Sequence, residues 1–287
     1  MASSRTVLVT GCSSGIGRAT AERLAGRGWT VYATARRPES VKDLGDAGCR
    51  LLALDVCDEG SMEAAVRAAE GETGPLDALV NNAGYGEYGA VEEVPLEAWR
   101  RQLETNVLGV VRMAQLVLPG MRERGSGRIV NISSMGGRLV FPGGGAYHAS
   151  KFALEALSDA LRFEVRPFGI KVVVVEPGLI KTGFGDTVAG TLGENRRSGG
   201  PYHGLNQTLD TVSRNAYEGP MARLAVGPEN VAKAVDKALS RRRPRPRYIV
   251  TAGARMVLGT KTVLSDRGFD GFLRAQFKVP KAKASSG

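Results

Sequence analysis

Six short runs of aliphatic residues, each followed by a stretch with apolar residues at helical spacing, constrain the fold before any motif is considered. The runs fall at residues 6–10, 30–35, 50–55, 76–81, 128–133 and 171–176, the last with four valines in a row. A strand wet on one face alternates apolar and polar residues, whereas continuous Val/Ile/Leu runs are dry on both faces. Helical patterns are expected at 15–27, 61–70, about 96–124 and about 146–166. Strand–helix alternation with short connections leads to an α/β fold built on a doubly wound parallel sheet with right-handed crossovers. With 287 residues, no internal repeat and no linker-like stretch, one large domain is expected.

The pattern lapses after Pro177-Gly178. Residues 179–226 are rich in Gly, Asn, Arg and Ser with weak periodicity, which predicts a lid, a binding excursion or local disorder. A helix returns at 228–241, with Pro228 near its start, and a last strand at 247–251. Residues 254–278 read as an amphipathic excursion carrying Phe269, Phe272, Leu273 and Phe277. These aromatics are expected to pack on the core or on a partner subunit; peripheral contact with a membrane is the less favoured alternative.

Composition narrows the classes further. The net charge of +10 is concentrated in residues 241–287, where twelve basic residues face only Asp266 and Asp270. That stretch is read as solvated surface ending in a disordered tail from Lys281. Its Arg-Pro alternation lacks the interleaved aromatics that stack on bases, so nucleic acid is not the expected partner. Three cysteines (Cys12, Cys49 and Cys57) without C-x-x-C spacing, and two histidines, predict neither a disulfide framework nor a metal site. No apolar run is long enough to span a bilayer, and the first five residues lead directly into a strand with no signal peptide. A cytoplasmic protein is expected.

Three constellations carry chemistry. The first, Thr10-Gly11-Cys12-Ser13-Ser14-Gly15-Ile16-Gly17, directly follows strand one and opens a helix. Glycines let the backbone approach a pyrophosphate, and the helix N-terminus offers N–H groups and a positive dipole end to the anion. At the end of strand two the chain reads Thr34-Ala35-Arg36-Arg37, with no carboxylate. An acidic residue there would hold the ribose hydroxyls of NAD and repel a 2′-phosphate, whereas guanidinium groups bind one. Ser14, Arg36 and Arg37 therefore point to NADP(H) over NAD(H). The third constellation is Tyr147-His148-Ala149-Ser150-Lys151. Residues at i and i+4 share a helix face, and an ammonium beside a phenol lowers the phenol pKa from near 10 toward a range useful for proton exchange. Asn131-Ile132-Ser133-Ser134 and Asn81-Asn82-Ala83-Gly84 end strands five and four at the same sheet edge, where ligands bind in open α/β sheets. A serine there can hold a substrate oxygen, and Asn106 can anchor a water between the lysine and bulk solvent.

Together these residues resemble the short-chain dehydrogenase/reductase family, a Rossmann-type fold, from about residue 6 to 182 and more loosely to 250. The resemblance implies a dinucleotide-binding domain over 1–253, its lid at about 179–226, then an amphipathic excursion and basic tail over 254–287. It implies a catalytic tetrad of Asn106, Ser134, Tyr147 and Lys151. Ser134 is preferred to Ser133 because the family commonly sets thirteen positions between its serine and tyrosine, and a swap stays open. For the cofactor it implies Gly11, Ser13, Ser14, Gly15, Ile16, Gly17, Asp55, Val56, Asn82, Ala83, Gly84, Pro177, Gly178 and Thr182, beside Arg36, Arg37, Tyr147 and Lys151. The glycine loop, the Tyr-Ala-Thr-x-Arg strand end and Ser150 to Glu155 look like the branch holding hydroxysteroid and retinol dehydrogenases. Glu87 and Tyr88, near the expected pocket, and Gly143-Gly144-Gly145 depart from it, and a buried carboxylate needs a partner. The implied activity is NADP(H)-dependent hydride transfer with a carbonyl or alcohol of largely apolar character, in a homodimer or homotetramer. A cofactor-binding redox sensor without chemistry is the alternative.

Overall fold

A computed structural model of the chain describes residues 5–196, 200–218 and 225–279. Seven strands, β1 (Thr6–Val9), β2 (Thr30–Ala35), β3 (Arg50–Ala53), β4 (Ala78–Asn81), β5 (Gly127–Ile132), β6 (Ile170–Glu176) and β7 (Arg247–Ile249), form one sheet. The order is β3-β2-β1-β4-β5-β6-β7, and every pairing is parallel. Strand periodicity then sorts the core into two layers. Val7, Val9, Val31 and Ala33 face α1 (Gly15–Ala25) and α9 (Pro228–Ser240). Leu8, Tyr32, Leu79 and Ile129 face the opposite layer of α3 (Glu59–Thr73), α5 (Gly109–Glu123) and α6 (Gly145–Glu164). Both faces are dry, as continuous aliphatic strands require. A short α2 (Lys42–Asp46), which the sequence pattern did not predict, follows β2.

The long helix expected at 96–124 is continuous but not regular. α4 (Leu96–Leu103) passes through one π turn, Glu104–Leu108, into α5. The turn contains Asn106. Such single-turn π segments often mark functional positions in helices.

The stretch expected to be a weakly structured lid instead forms two helices, α7 (Phe184–Asn195) and α8 (His203–Glu218). Their periodicity is faint because polar residues do part of the burying. Asn195 and Asn206 point inward beside Val188, Leu192 and Leu209. The last strand stops at Ile249, because Thr251 caps the next helix by accepting the Ala254 N–H at 3.1 Å. The amphipathic excursion is two helices, α10 (Ala252–Val263) and α11 (Asp266–Gln276), with Ser265 capping the second. Phe269 joins Leu139 and Leu258 in a third apolar cluster, and Phe141 meets Phe277 at 6.2 Å between ring centroids. These C-terminal aromatics therefore cover the loop that follows β5. The tail expected from Lys281 lies outside the described residues. No helix among the described residues is long and apolar enough to cross a membrane.

Candidate active site

Strand order reverses between β1 and β4, which opens a crevice at the carboxyl edge of the sheet. The loop leaving β1 lies in that crevice, and its glycines are required by contact as well as by conformation. Gly11 has φ +72°, and a Cβ there would lie 2.8 Å from the Ala83 Cα. A Cβ on Gly17 would lie 2.2 Å from the Gly11 carbonyl oxygen. Asn82 straps the loop down, donating from Nδ2 to the carbonyls of Thr10 and Gly11 at 2.9 and 3.0 Å. The Thr10 hydroxyl accepts the N–H groups of Asn82 and Ala83, both at 2.9 Å. Gly15 faces Thr182, whose Cγ2 would be 3.1 Å from an added Cβ. Ser13 and Ser14 are exposed at the mouth, Ile16 is half-buried, and Ser14 makes no side-chain cap over the first turn of α1. A backbone cradle with an uncapped helix N-terminus fits the pyrophosphate of a dinucleotide.

Arg36 and Arg37 emerge at the end of β2, both exposed. The Arg37 carbonyl accepts the Ser40 N–H and hydroxyl, fixing the turn that carries them. Asp55 Oδ1 accepts the Cys57 N–H at 3.0 Å, and Val56 lies against Gly109, where a Cβ would meet the Val56 carbonyl at 2.5 Å. Close packing thus ties the stretch after β3 to the π turn and to Asn106. Gly84 sits on the other side of that asparagine, with Asn106 Oδ1 3.0 Å from a Cβ added to the glycine. Pro177 is buried, and Gly178 lies against Thr251, whose hydroxyl would be 2.2 Å from an added Cβ.

Tyr147 and Lys151 share the inward face of α6. The Lys151 Nζ lies 5.9 Å from the Tyr147 ring centroid and donates to the Ile132 carbonyl at 2.8 Å. Burial pushes the lysine pKa down to about 8, against the pull of Glu155 one turn along the helix. Tyr88 stacks on Tyr147 at 5.7 Å, and Phe184 and His148 lie at 5.3 and 5.6 Å. Ser134 is half-buried, and its Oγ accepts the Gly136 N–H at 3.0 Å. Ser133 is buried against Gly137, and its Oγ has no hydrogen-bond partner among the described residues. Asn106 donates to the Tyr85 carbonyl and to Ser150 Oγ, both at 3.0 Å, and accepts the Tyr85 N–H at 3.2 Å. Its amide is therefore spent on protein groups, clamping the loop after β4 to α6.

The roles of two sets of residues at this site were not foreseen in the sequence. His148 is buried, with Nδ1 2.9 Å from the Gly136 carbonyl and Nε2 accepting the Phe141 N–H at 3.1 Å. A backbone N–H can only donate, so Nε2 is bare, Nδ1 carries the proton, and the ring is neutral. Burial holds its pKa below the ordinary 6.5. The second set latches α7 and α8. The buried Glu87 accepts from Asn195 Nδ2 at 2.7 Å, and the buried Glu93 accepts from Asn206 Nδ2 at 2.8 Å. Glu87 stood out in sequence as a carboxylate near an apolar pocket; its partner, more than a hundred residues on, did not. Gly143, at φ +78°, lets Leu209 of α8 approach within 2.3 Å of where a Cβ would stand.

Comparison with known proteins agrees with this geometry. The family model for short chain dehydrogenases matches residues 5–191. A 3-ketodihydrosphingosine reductase of Bacteroides thetaiotaomicron is 38% identical over 240 residues, covering 83% of this chain and 84% of that protein. An uncharacterized oxidoreductase of Escherichia coli (strain K12) is 37% identical over 276 residues, 94% of each. Among solved structures, a short-chain dehydrogenase from Streptomyces avermitilis superposes with TM-score 0.75 at 34% identity, covering 97% of both chains. An actinorhodin polyketide ketoreductase with NADPH superposes with TM-score 0.74 at 34% identity, covering 88% of this chain and 99% of that one. A Burkholderia phymatum family member in complex with NAD has TM-score 0.75 at 25% identity, covering 89% and 92%. This chain belongs to the short-chain dehydrogenase/reductase family of oxidoreductases.

Proposed function

We propose that the chain is an NADP(H)-dependent oxidoreductase that interconverts a carbonyl and an alcohol on a largely apolar substrate. The observation that carries this reading is Tyr147 on one helix face with the buried Lys151, beside a glycine cradle at the switch point of the sheet. Gly11, Gly15 and Gly17 would admit the pyrophosphate, and Ser13, Ser14, Arg36 and Arg37 the adenosine phosphate. Asp55 and Val56 would border the adenine; Asn82, Ala83, Gly84, Pro177, Gly178 and Thr182 would line the approach to the nicotinamide. When bound, the nicotinamide supplies or accepts the hydride. Tyr147 delivers a proton to the substrate oxygen in reduction and takes it back in oxidation. Ser134 holds that oxygen, and the Lys151 cation favours the phenolate and holds ribose hydroxyls. Asn106 keeps the loop after β4 and α6 in register, which fixes the orientation on which such transfer depends.

The apolar character rests on the wall that faces Tyr147, built from Tyr88 and Phe184. The Bacteroides relative, named a 3-ketodihydrosphingosine reductase, favours the same reading. Leu103, Leu108, Phe152 and Phe163 leave apolar surface exposed on α4 to α6 and the π turn between them. This supports a homodimer or homotetramer built on those helices.

The test is NADPH oxidation across a carbonyl panel of long-chain β-keto compounds, steroid ketones, retinal, quinones and small aldehydes, with NADH in parallel. The expected result is NADPH-preferring turnover, best with an extended apolar ketone. Arg36→Ala should reduce that preference by about tenfold or more, since a charge-assisted contact contributes about 1.5–3 kcal/mol. Equal use of both cofactors by the unmodified protein would overturn the cofactor assignment.

A further inference from the structure

Directly behind Lys151, three carboxylates converge on one guanidinium. Arg247, at the start of β7, places Nε 3.0 Å from Glu155 Oε2 and 3.2 Å from Glu176 Oε1, and Nη2 2.7 Å from Asp159 Oδ1. Glu155 and Asp159 lie on α6, one and two turns beyond Lys151, and Glu176 ends β6. The Glu176 side chain is fully buried and that of Glu155 is 9% exposed. Buried carboxylates are costly without partners, yet Glu155 Oε1 and Glu176 Oε1 accept no hydrogen bond among the described residues. Arg138, from the turn after β5, is the other cation on Glu176, at 3.3 Å. The arrangement is anchored to the site as well: a Cβ on Gly137 would lie 2.9 Å from both the Glu155 Cγ and the Lys151 carbonyl oxygen.

We propose that Glu155 and Arg247 are positioning residues for the reaction: Arg247 offsets part of the Glu155 charge, and that balance sets the charge state of the Tyr147–Lys151 pair. The inference rests on the catalytic reading of that pair given above. The groups that act on Lys151 are Tyr147, whose ring lies 5.9 Å from the amine, and Glu155, both from α6; Glu155 is in turn faced by Arg247 from β7, and Glu176 from β6 is held by Arg247 and by Arg138 from the turn after β5. Neither Glu155 nor Arg247 touches substrate or cofactor in this scheme. They act through the lysine. Burial and the Glu155 charge pull the Lys151 amine in opposite directions, so altering the offset moves its titration in a direction fixed by the sign of the charge removed. The Lys151 amine stands 5.9 Å from the Tyr147 ring, so a charge added or removed beside the lysine acts on both groups with the same sign.

The test uses two readouts on the full chain. One is the amine titration of Lys151 in the cofactor-free protein, followed by NMR on carbon-labelled lysine and assigned with Lys151→Met. The other is the pH profile of kcat/KM for alcohol oxidation with NADP⁺. Glu155→Gln, nearly isosteric, removes the anion and should move both to lower pH by about half a unit or more. Arg247→Met uncovers the carboxylates and should move both to higher pH. Arg247→Lys should restore the wild-type position, and the Glu155→Gln/Arg247→Met double variant should fall between the single variants. A purely structural network would lower Tm and rate in both single variants without opposite displacements. If Glu155→Gln leaves the lysine titration unmoved while Tyr147→Phe is inactive, this inference is overturned and the catalytic reading stands. If Tyr147→Phe remains active, the catalytic reading itself fails, whatever the lysine titration shows.

Discussion

At the scale of single residues, the site depends on atoms that are absent as much as on those present. Gly17 is the tightest point of the cradle, with backbone oxygen 2.2 Å and the Asn82 amide nitrogen 2.5 Å from a would-be Cβ. Gly17→Ala should therefore weaken NADPH binding at least tenfold and cost about 1–3 kcal/mol of stability, the usual penalty for forcing a methyl into a packed site. Calorimetric titration and urea unfolding read the two effects separately. His148 gives a prediction with a definite sign. Its pKa in the folded protein lies below the ordinary 6.5, so as pH falls the unfolded chain takes up the proton first. Stability from the neutral ring is present above pH 6.5 and is lost as pH drops from there toward the folded-state pKa. Urea midpoints measured on either side of that value should fall with acidification in the wild type, and fall less steeply in His148→Gln. The glycines were legible in the sequence because a cradle needs them at fixed spacing. His148 was not, because its partners are backbone groups of a loop whose path no side-chain pattern encodes.

At the scale of elements, the strands were readable and the two helices α7 and α8 were not, for one physical reason. β6 advertises itself with consecutive valines that can only be dry on both faces. α7 and α8 instead bury Asn195 and Asn206 against Glu87 and Glu93, and polar burial mimics the pattern of a solvated loop. The same latches make the packing of α7 and α8 testable. Asn195→Ala removes the donor that Glu87 Oε1 uses and leaves a buried acceptor, at a cost of about 1–3 kcal/mol. Hydrogen exchange across 184–195 should speed up. KM for an apolar ketone should rise several-fold while NADPH affinity stays near the wild-type value. An unchanged exchange pattern would show that the latch does not hold α7. The π turn at Asn106 was equally invisible in sequence, since the apolar spacing around it is that of an ordinary helix.

At the scale of the whole molecule, one topological fact organises the rest. A parallel sheet with order β3-β2-β1-β4-β5-β6-β7 brings the ends of β1, β4, β5 and β6 to one edge. The loop after β1, the strap after β4, the serines after β5 and the Pro177-Gly178 element after β6 therefore meet there, and α6 lays Tyr147 and Lys151 across them. The opposite edge carries the turn after α9: Arg128 reaches the carbonyls of Ala238 and Arg241, and Lys171 that of Arg242, at the start of β5 and β6. On the function proposed above, Tyr147 is the proton donor of an NADPH-dependent carbonyl reduction. Its most direct test compares NADPH affinity and turnover of the wild type and Tyr147→Phe on the best ketone of the panel. Affinity should stay within about twofold and turnover should fall by at least about 10²-fold, the scale of a lost general acid. Turnover in Tyr147→Phe close to that of the wild type would contradict it.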